Sequence, residues 1–574
     1  MRELIKNDTS KCVGCNRCIR FCPVEGANIA YAEGENIKVK VDNTKCIACG
    51  ACIDECKHES RDYQDDTERF LSDLQAGVSI SLFASPANRA NGENWGRLLT
   101  WLRQKGVRKI YDVSLGADIC TWAHIRYIQK NKPKSVISQP CPAIVNYILI
   151  HNNSLLPYLS PVHSPMLCTA VYMKKYDGIN DSIAALSPCI AKAHEFEDTQ
   201  YVQYNVTLKK LYEYIERNLI TLPTQETGFD HAETSLGCLY SMPGGLKENV
   251  ELYLGKGLRI DKSEGQSIVY KSLDEFSRES MDNLPDIFDV LNCQEGCNLG
   301  TGCIHGRSVF EINAIMDAAR QGVLGNTGNS NIDHIALFEE YDNTLKLDDF
   351  IRSYNSSRAR VYEVSEAEIE EAFMQLGKTS ITERMFDCSA CGADTCKDMA
   401  RQIASGLNIP TNCIQKVRDD VHTEHNAVLE LSASNIDNIN EILEDISMIK
   451  GLSDGIHVNV DDVNTAIEKY GKMASEIERI AMQINIISLN ASIEAARAGT
   501  HGKAFSVVAE EIRRLANSSK KTVSETEQIT EQTAISIHGI NTMVEQISNE
   551  VEKAFHNISD ISDKTQNVLV KTDS

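Results

Sequence analysis

The sequence predicts a multidomain fold with an α+β domain at the front, an α/β domain in the middle, a small α-rich domain, and a long antiparallel α-helical coiled-coil hairpin at the rear. Three observations support this prediction. The 574 residues suffice for roughly three to five domains of ordinary size. All twenty cysteines lie before residue 414, in three groups. The part that follows them repeats its apolar positions at spacings of three and four residues, which is typical of coiled coils.

Composition and charge exclude several classes of protein. Apolar residues make up 42% of the chain, which indicates globular structure, and the net charge of −23 argues against nucleic acid or an anionic membrane as a partner. No apolar run reaches the roughly 18 residues of a membrane span, and the N-terminal residues carry no signal-peptide pattern. We therefore expect a cytoplasmic protein without membrane insertion, whose reduced cysteines are metal ligands rather than disulfides.

The first 56 residues contain two cysteine runs with the same spacing. This is the spacing of two-cluster 4Fe–4S proteins, in which the fourth cysteine of each run ligates the cluster of the other run, whereas zinc prefers paired ligands. Residues 1–62 resemble a bacterial ferredoxin over their whole length, which implies electron transfer to another part of the chain. The first cysteine set is Cys12, Cys15, Cys18 and Cys56, and the second cysteine set is Cys46, Cys49, Cys52 and Cys22.

Residues 79–345 alternate strand and helix patterns, which predicts an α/β domain. Val78–Ala84 and Val107–Val113 are the clearest strand patterns, and Trp95–Lys105 and Ile125–Lys130 are the clearest helical ones. Cysteines occur in three short motifs of this domain, at Ser138–Pro142, Ser187–Glu195 and Phe288–Gly300.

These three motifs resemble, in order and spacing, the signature segments of the FeFe-hydrogenase catalytic domain. The resemblance implies an H-cluster, which is a 4Fe–4S cubane joined to a two-iron subsite. Lys192 corresponds to the lysine that donates a hydrogen bond to an iron-bound cyanide. Glu195 corresponds to the glutamate of the same motif, which contacts the residues around the cluster rather than the cluster itself. An apolar core with four buried thiols is the alternative, but it does not account for the matching lysine. The implied ligands are Cys141, Cys189 and Cys293 for the cubane, and Cys297 as the bridge to the two irons.

The chain departs from that family in its proton-relay residues. Pro140 occupies the position of the relaying cysteine and has no titratable group, and no glutamate lies between His124 and Glu195. Because a positioned acid or base contributes about 10²–10⁴-fold to a rate, we expect at most a slow FeFe-hydrogenase whose primary role is sensing. Four further cysteines have no assigned role and fit buried thiols: Cys120, Cys168, Cys238 and Cys303.

The third cysteine group follows a polar, acidic stretch at Tyr341–Glu371. It is similar to a small four-cysteine 4Fe–4S domain found in several anaerobic redox proteins, and we place this domain at residues 375–416. Zinc remains an alternative, because a Cys-x2-Cys pair with two later cysteines also suits tetrahedral sulfur ligation. A short helix is expected at Lys397–Gly406. The last cysteine set is Cys388, Cys391, Cys396 and Cys413.

From Ile439 onward the apolar heptads continue for two arms of about 70 residues each, which predicts a coiled-coil hairpin at residues 425–574 with its tip near 482–507. At 1.5 Å per residue each arm would be on the order of 100 Å long. Two hairpins would pair as a four-helix bundle, so we expect a homodimer.

The segment at residues 480–516 closely resembles the cytoplasmic tip of methyl-accepting chemotaxis proteins. The resemblance implies a CheA-type histidine kinase and a CheW-type adaptor as partners, and clustering of dimers. Met482 stands where an aromatic residue is usual, and Thr500 where a glutamate is usual. Adaptation by methylation stays open, since pairs such as Glu527–Gln528 occur on any solvated helix face. The implied tip residues are Asn485, Ile486, Asn490, Ile493, Glu494 and Arg497 for clustering, with Lys503 and Val507 for the adaptor and kinase.

Together these patterns predict a sensor of dihydrogen or redox state that signals to a chemotaxis-type kinase pathway. Two alternatives remain. One is a catalytically active FeFe-hydrogenase with an appended docking hairpin. The other is an iron–sulfur sensor of oxygen or redox potential that has no two-iron subsite, in which Cys297 is simply the fourth cubane ligand.

Overall fold

The computed structural model of the chain describes residues 2–92, 94–138, 140–231, 236–325, 334–355 and 363–572, without the side chains of residues 324, 325, 334, 335, 571 and 572. Contacts between residues divide the chain into two compact units, Met1–Val417 and Arg418–Ser574. Within the described residues, none of the helices is both long enough and apolar enough to span a bilayer.

The front of the first unit is built from two small antiparallel strand pairs and two short helices, and each helix lies within a cysteine run. β1 pairs with β4, and β2 pairs with β3 across a tight turn at Gly34, whose φ of 62° favours glycine. The strands are β1 (Ile5–Asn7), β2 (Asn28–Glu33), β3 (Asn36–Val41) and β4 (Arg61–Tyr63), and the helices are α1 (Arg17–Arg20) and α2 (Ala51–Asp54).

The middle of the first unit contains two parallel sheets, so the predicted α/β class is confirmed. One sheet has the order β6-β5-β8-β9 and the other has the order β10-β11-β7. All five residues of β5 are buried, as expected for a parallel strand covered on both faces. The strands are β5 (Ile80–Ala84), β6 (Ile110–Asp112), β7 (Val136–Ile137), β8 (Ser182–Ser187), β9 (Tyr204–Thr207), β10 (Ile260–Glu264) and β11 (Ile287–Leu291).

Twelve α-helices of the described residues connect and cover these sheets. They are α3 (Thr67–Gln75), α4 (Ala87–Asn91), α5 (Trp95–Gln104), α6 (Val113–Asn131), α7 (Pro142–Ile150), α8 (Pro165–Lys175), α9 (Lys192–Thr199), α10 (Leu208–Arg217), α11 (Gly245–Leu254), α12 (Val269–Phe276), α13 (Val309–Gly325) and α14 (His334–Thr344).

Helix α6 starts much earlier than the sequence pattern indicated. The Asp112 side chain accepts a hydrogen bond from the Ser114 N–H (2.9 Å), so it caps the helix and Val113 belongs to the helix rather than to the preceding strand. Every residue from Val113 to Ile125 is buried. A helix buried on all sides shows no alternation of polar and apolar faces, and for this reason only its last turns were predicted.

The small domain that follows has three helices around a core formed by Ile369, Phe373 and Met399. Capping boxes at Ser365 and Ser380 start the first two helices. The predicted short helix is present, with slightly different limits. These helices are α15 (Glu366–Gln375), α16 (Ile381–Arg384) and α17 (Cys396–Ala404).

The rear of the chain consists of two long helices, α18 (Ile414–Arg497) and α19 (Lys503–Thr572). They run antiparallel, since Ser453 lies 2.9 Å from Ser548 and Lys520 lies 3.4 Å from Glu478. The buried positions of α18 recur every seventh residue and include Ser432, Ile439, Ile446, Ser453, Val460, Ala474, Ala481, Ser488 and Ala495.

Candidate functional site

Three parallel strands of the middle domain end just before the three cysteine motifs. β7 precedes Cys141, β8 precedes Cys189, and β11 precedes Cys293. The carboxyl ends of parallel strands are the usual ligand-binding edge of α/β proteins. Cys141, Cys189, Cys293 and Cys297 all line one pocket of about 790 Å³ there. We call these four residues the pocket cysteines.

Three of the pocket cysteines, Cys189, Cys293 and Cys297, have thiols with raised pKa values. Burial, and then the neighbouring Cys141, raise the pKa of Cys189 to about 12. Burial, followed by the nearby Cys297, raises the pKa of Cys293 well above its ordinary range. Such thiols keep their protons at neutral pH unless a bound metal displaces them. The four sulfurs around one pocket therefore fit the ligand set of a metal cluster.

A buried ion pair forms one wall of this pocket. Lys192 Nζ donates to Glu195 Oε2 (2.5 Å), Ser164 Oγ (2.9 Å) and the carbonyl oxygen of Pro140 (3.1 Å). Arg352 lies 3.7 Å from the other oxygen of Glu195. Lys192 is the member of this group that lines the pocket, and its cationic side chain suits an anionic group there.

Sequence reasoning did not identify Arg352. It lies within the polar, acidic stretch at Tyr341–Glu371 and belongs to no motif. It reaches the site because its N–H donates to the carbonyl oxygen of Pro161 (2.8 Å). The adjacent Ile351 also forms a bridge with Val162. Only these long-range contacts bring the guanidinium beside Glu195.

The rest of the pocket wall is mainly apolar. Pro140, Pro142, Pro165 and Pro188 line it. Tyr240 also lines the pocket, and its hydroxyl lies 2.7 Å from Thr121 Oγ1.

The four cysteines without an assigned role are all buried: Cys120, Cys168, Cys238 and Cys303. Burial opposes ionisation of Cys120, but a hydrogen bond from Cys168 and the neighbouring His124 outweigh it and lower the pKa of Cys120. Cys238 packs with Ala90 and Leu239, whereas its neighbours Tyr240 and Ser241 face the pocket.

The front domain brings together the cysteines of its two runs. Cys22, Cys46, Cys49 and Cys52 line one cavity of about 310 Å³, which is the second cysteine set. Within the first set, burial raises the pKa of Cys18, and Cys12 and Cys15 lie near enough to raise it further. The buried Arg61 places Nη2 3.6 Å from Cys18 Sγ. Cys56 lies on the turn after α2, where its N–H donates to Ile53 O (3.1 Å).

The last cysteine set lines a cavity of similar size, about 350 Å³. The buried Lys378 lines the same cavity and donates to the carbonyl oxygen of Glu383 (2.7 Å). Across the described ranges, no three His, Cys, Asp or Glu side chains converge on the position of a single metal ion. A basic residue therefore accompanies the first set, the pocket cysteines and the last set alike.

The predicted tip residues lie at the end of α18 and the start of α19. Seven of the eight are exposed, and Asn485 is half-buried. The turn between the helices needs two glycines. Gly499 has a φ of 60°, and a Cβ on Gly502 would lie 2.0 Å from the carbonyl oxygen of Ala495. The turn thus presents polar and apolar side chains together on an open surface.

Three family descriptions match separate parts of the chain. Residues 4–57 match the 4Fe-4S dicluster domain. Residues 80–282 match the C-terminal domain of the iron only hydrogenase large subunit, and residues 452–573 match the methyl-accepting chemotaxis protein signalling domain. The chain therefore joins an iron–sulfur domain and a hydrogenase-like domain to a chemotaxis signalling domain.

Curated relatives match the rear of the chain. Methyl-accepting chemotaxis protein I of Escherichia coli is 35% identical over 111 residues, which cover 19% of this chain and 20% of the relative. The aerotaxis receptor of the same organism is 34% identical over 113 residues, 18% of this chain and 22% of the relative. A sensory transducer protein of Bacillus subtilis is 36% identical over 141 residues. The chain spans a quarter or less of the length of these three relatives.

Solved structures similar to the chain include two variants of the FeFe-hydrogenase HydA1 from Chlamydomonas reinhardtii. They are 15% and 17% identical, with TM-scores of 0.38 and 0.39, and each covers 52% of this chain and 100% of its own.

Proposed function

We infer that this protein is a sensor in which dihydrogen, or the redox state that it sets, acts on the pocket cysteines and controls a CheA-type histidine kinase through the long helices. One observation carries this proposal. The pocket retains four cysteines and a buried lysine but has Pro140 on its wall, while the tip residues lie on an open surface.

The pocket suits an H-cluster by its donors and its charge. Cys141, Cys189 and Cys293 would hold the cubane and Cys297 would bridge to the two irons, a group that supplies reversible cleavage of dihydrogen when bound. Lys192 already uses three acceptors for its three N–H donors. It would therefore exchange one of these hydrogen bonds to bind an anionic ligand, while Arg352 would keep Glu195 neutralised.

The pocket is poorly equipped for fast proton transfer. Pro140 can neither give nor take a proton, and loss of a positioned acid or base slows a reaction by about 10²–10⁴-fold. Slow turnover suits a sensor, because the bound state then lasts long enough to be transmitted. It is also why the proposed role is signalling rather than bulk hydrogen metabolism.

Iron–sulfur clusters are proposed for the three remaining cysteine sets. The second and last sets line cavities of about 310 and 350 Å³, which supports the same kind of cofactor in both. Arg61 beside the first set and Lys378 beside the last set would each offset the negative charge of a thiolate-ligated cluster.

The rear unit supports dimerisation and partner binding. α18 buries one position in seven, while a second apolar stripe that includes Ile449, Ile456 and Ile477 stays more than two-fifths exposed. A second copy of the hairpin would cover this stripe as a four-helix bundle. The tip residues would then contact the kinase and a CheW-type adaptor.

Kinase activity under dihydrogen and under argon tests the sensor proposal. Full-length protein, with its clusters and H-cluster assembled, is mixed with CheA-type kinase and CheW-type adaptor, and phosphorylation is followed over time. We expect the rate to differ between the two gases, and the difference to vanish in Lys192→Met. Equal rates under both gases would overturn the proposal.

A second candidate is an iron–sulfur redox sensor without the two-iron subsite. It is favoured by the position of Cys297, which lines the pocket with the other three cysteines and could serve as the fourth ligand of a plain cubane. Infrared spectra separate the two candidates. Bands of iron-bound carbonyl and cyanide support the dihydrogen sensor, and a matured protein without them supports the redox sensor.

A further inference from the structure

Three buried asparagines form a hydrogen-bonded chain between the front domain and the small domain. Asn16 Nδ2 donates to Asn412 Oδ1 (3.1 Å), and Asn412 Nδ2 donates to Asn408 Oδ1 (2.6 Å). Asn408 Nδ2 donates in turn to the carbonyl oxygen of Cys391 (3.4 Å). All three side chains are at most 7% exposed. Because a buried amide group that loses its hydrogen-bond partner is destabilising, each of these three links helps to hold the two domains together.

Both ends of the asparagine chain lie beside candidate cluster ligands. Asn16 stands between Cys15 and Cys18, in a left-handed conformation (φ 60°) that asparagine tolerates. At the other end, Asn412 directly precedes Cys413, and Asn408 contacts Cys391. The three asparagines therefore connect the first cysteine set with the last one through hydrogen bonds.

The two domains also approach closely at this contact. Gly392 has a φ of 91°, and a Cβ on it would lie 3.0 Å from Cβ of Ile19. The N–H of Ala30 donates to the carbonyl oxygen of Leu407 (3.1 Å). The small domain is thus docked on the front domain at the loop that carries the first cysteine set.

A fourth asparagine makes a similar connection between the front domain and the pocket. Asn292 Nδ2 donates to the carbonyl oxygen of Cys49 (3.2 Å) and lies 3.6 Å from Cys293 Sγ. It joins the second cysteine set to the pocket. The order of the sites through these contacts is pocket, second set, first set and last set.

We propose that the hydrogen-bonded side chains of Asn16, Asn412 and Asn408 form the path through which electrons pass between the clusters of the first and last cysteine sets, so that the last set receives the electrons at the end of the relay. This inference rests on the proposed function, because it requires iron–sulfur clusters at both sets. One electron leaves the cluster of the first set, which is oxidised, and reduces the cluster of the last set; no proton moves and no bond breaks. Dihydrogen supplies the electrons by giving up two electrons and two protons, and dithionite supplies them in the laboratory.

The last cysteine set is directly connected to the start of α18. The carbonyl oxygen of Cys413 accepts the N–H of Val417 (3.0 Å), the first backbone hydrogen bond of α18. A change in the charge of a cluster held by Cys413 acts on this helix end, where the N–H groups favour negative charge. Reduction of the last set would therefore bias the start of α18.

Electron paramagnetic resonance of the full-length, cluster-loaded protein tests this relay. In dithionite-reduced protein we expect a magnetic interaction between the clusters of the first and last sets, which disappears in Cys388→Ala. Freeze-quenched samples under dihydrogen then give the rate at which the last cluster is reduced. We expect Asn412→Leu and Asn408→Ala to slow this step several-fold at unchanged iron content. Asn7→Ala, another asparagine of the front domain, is the control and should leave the rate unchanged.

Each outcome decides the inference. Absence of the magnetic interaction, or wild-type rates in both variants, overturns it. If Asn412→Leu loses iron, Asn408→Ala decides, because it keeps the contact between Asn16 and Asn412. If dihydrogen reduces no cluster, the dihydrogen hypothesis of the proposed function fails instead. The rates at which the last cluster is reduced in the wild type and the variants are then measured with a photoreduced flavin as the one-electron donor.

Discussion

The two units of the molecule place their candidate functional residues in opposite environments. In the first unit the pocket cysteines come from three segments that together span more than 150 residues of the sequence, and they meet in a pocket beside the buried Lys192. In the second unit the tip residues lie within a stretch of 23 residues and are mostly exposed. Binding a cluster requires enclosure, whereas binding a partner protein requires an open surface. Substitutions should therefore cost cofactor and stability in the first unit, and partner binding alone in the second.

The largest expected effect is the loss of a cluster from the pocket. Cys293→Ala removes one of the four sulfurs, so the iron content should fall by at least about four atoms per chain, measured by iron analysis and electron paramagnetic resonance. Cys238→Ala is the matched control, because this thiol is also buried but does not line the pocket. An equal loss of iron in the control would mean that burial, and not ligation, explains the result.

Next in size is the loss of the buried ion pair. Lys192→Met should destabilise the first unit by about 3–5 kcal/mol, because Glu195 keeps a buried charge that is opposed only by Arg352 at 3.7 Å. Tryptophan fluorescence during denaturant unfolding measures this unit selectively, since all three tryptophans of the chain lie in it. The double variant Lys192→Met/Glu195→Gln should recover most of the loss. No recovery would show that the lysine stabilises the fold by packing instead of by charge.

At the tip, a substitution should weaken partner binding more than it lowers the stability of the helices. Arg497→Ala should weaken binding to the kinase–adaptor complex by about 1 kcal/mol or more, while changing the stability of the helices by less than about 0.5 kcal/mol. Co-sedimentation measures the binding, and circular dichroism measures the melting. Arg479→Ala is the control, because Arg479 also pairs with a glutamate three residues earlier on α18 but lies away from the tip. Equal weakening by both variants would show that binding depends on the overall charge of the helix and not on the tip residue.

The smallest effect is expected at the serine pair between the long helices. The hydroxyls of Ser453 and Ser548 bond to each other, so Ser453→Ala leaves one of them without its partner and should cost about 1 kcal/mol. The double variant with Ser548→Ala should lie closer to the wild type in thermal melting followed by circular dichroism. A double variant that is less stable than either single one would contradict this reasoning.

The sequence by itself determined the features that depend on local spacing. The two cysteine runs and the heptads were predicted from intervals along the chain, because cluster ligation and coiled-coil packing both impose fixed intervals. The three pocket motifs were predicted from their resemblance to a known family. The same reasoning failed for α6, whose first half is buried on all sides and so shows no amphipathic pattern.

Only the tertiary structure decided which distant residues meet. It placed Arg352 beside Glu195, Asn292 between Cys49 and Cys293, and Asn16 against Asn412. Single arginines and asparagines carry no interval or motif, and their partners are chosen by the packing of one domain on another. The proposed ligand sets can therefore be predicted from the sequence, whereas the charges and contacts that connect them arise only when the chain folds.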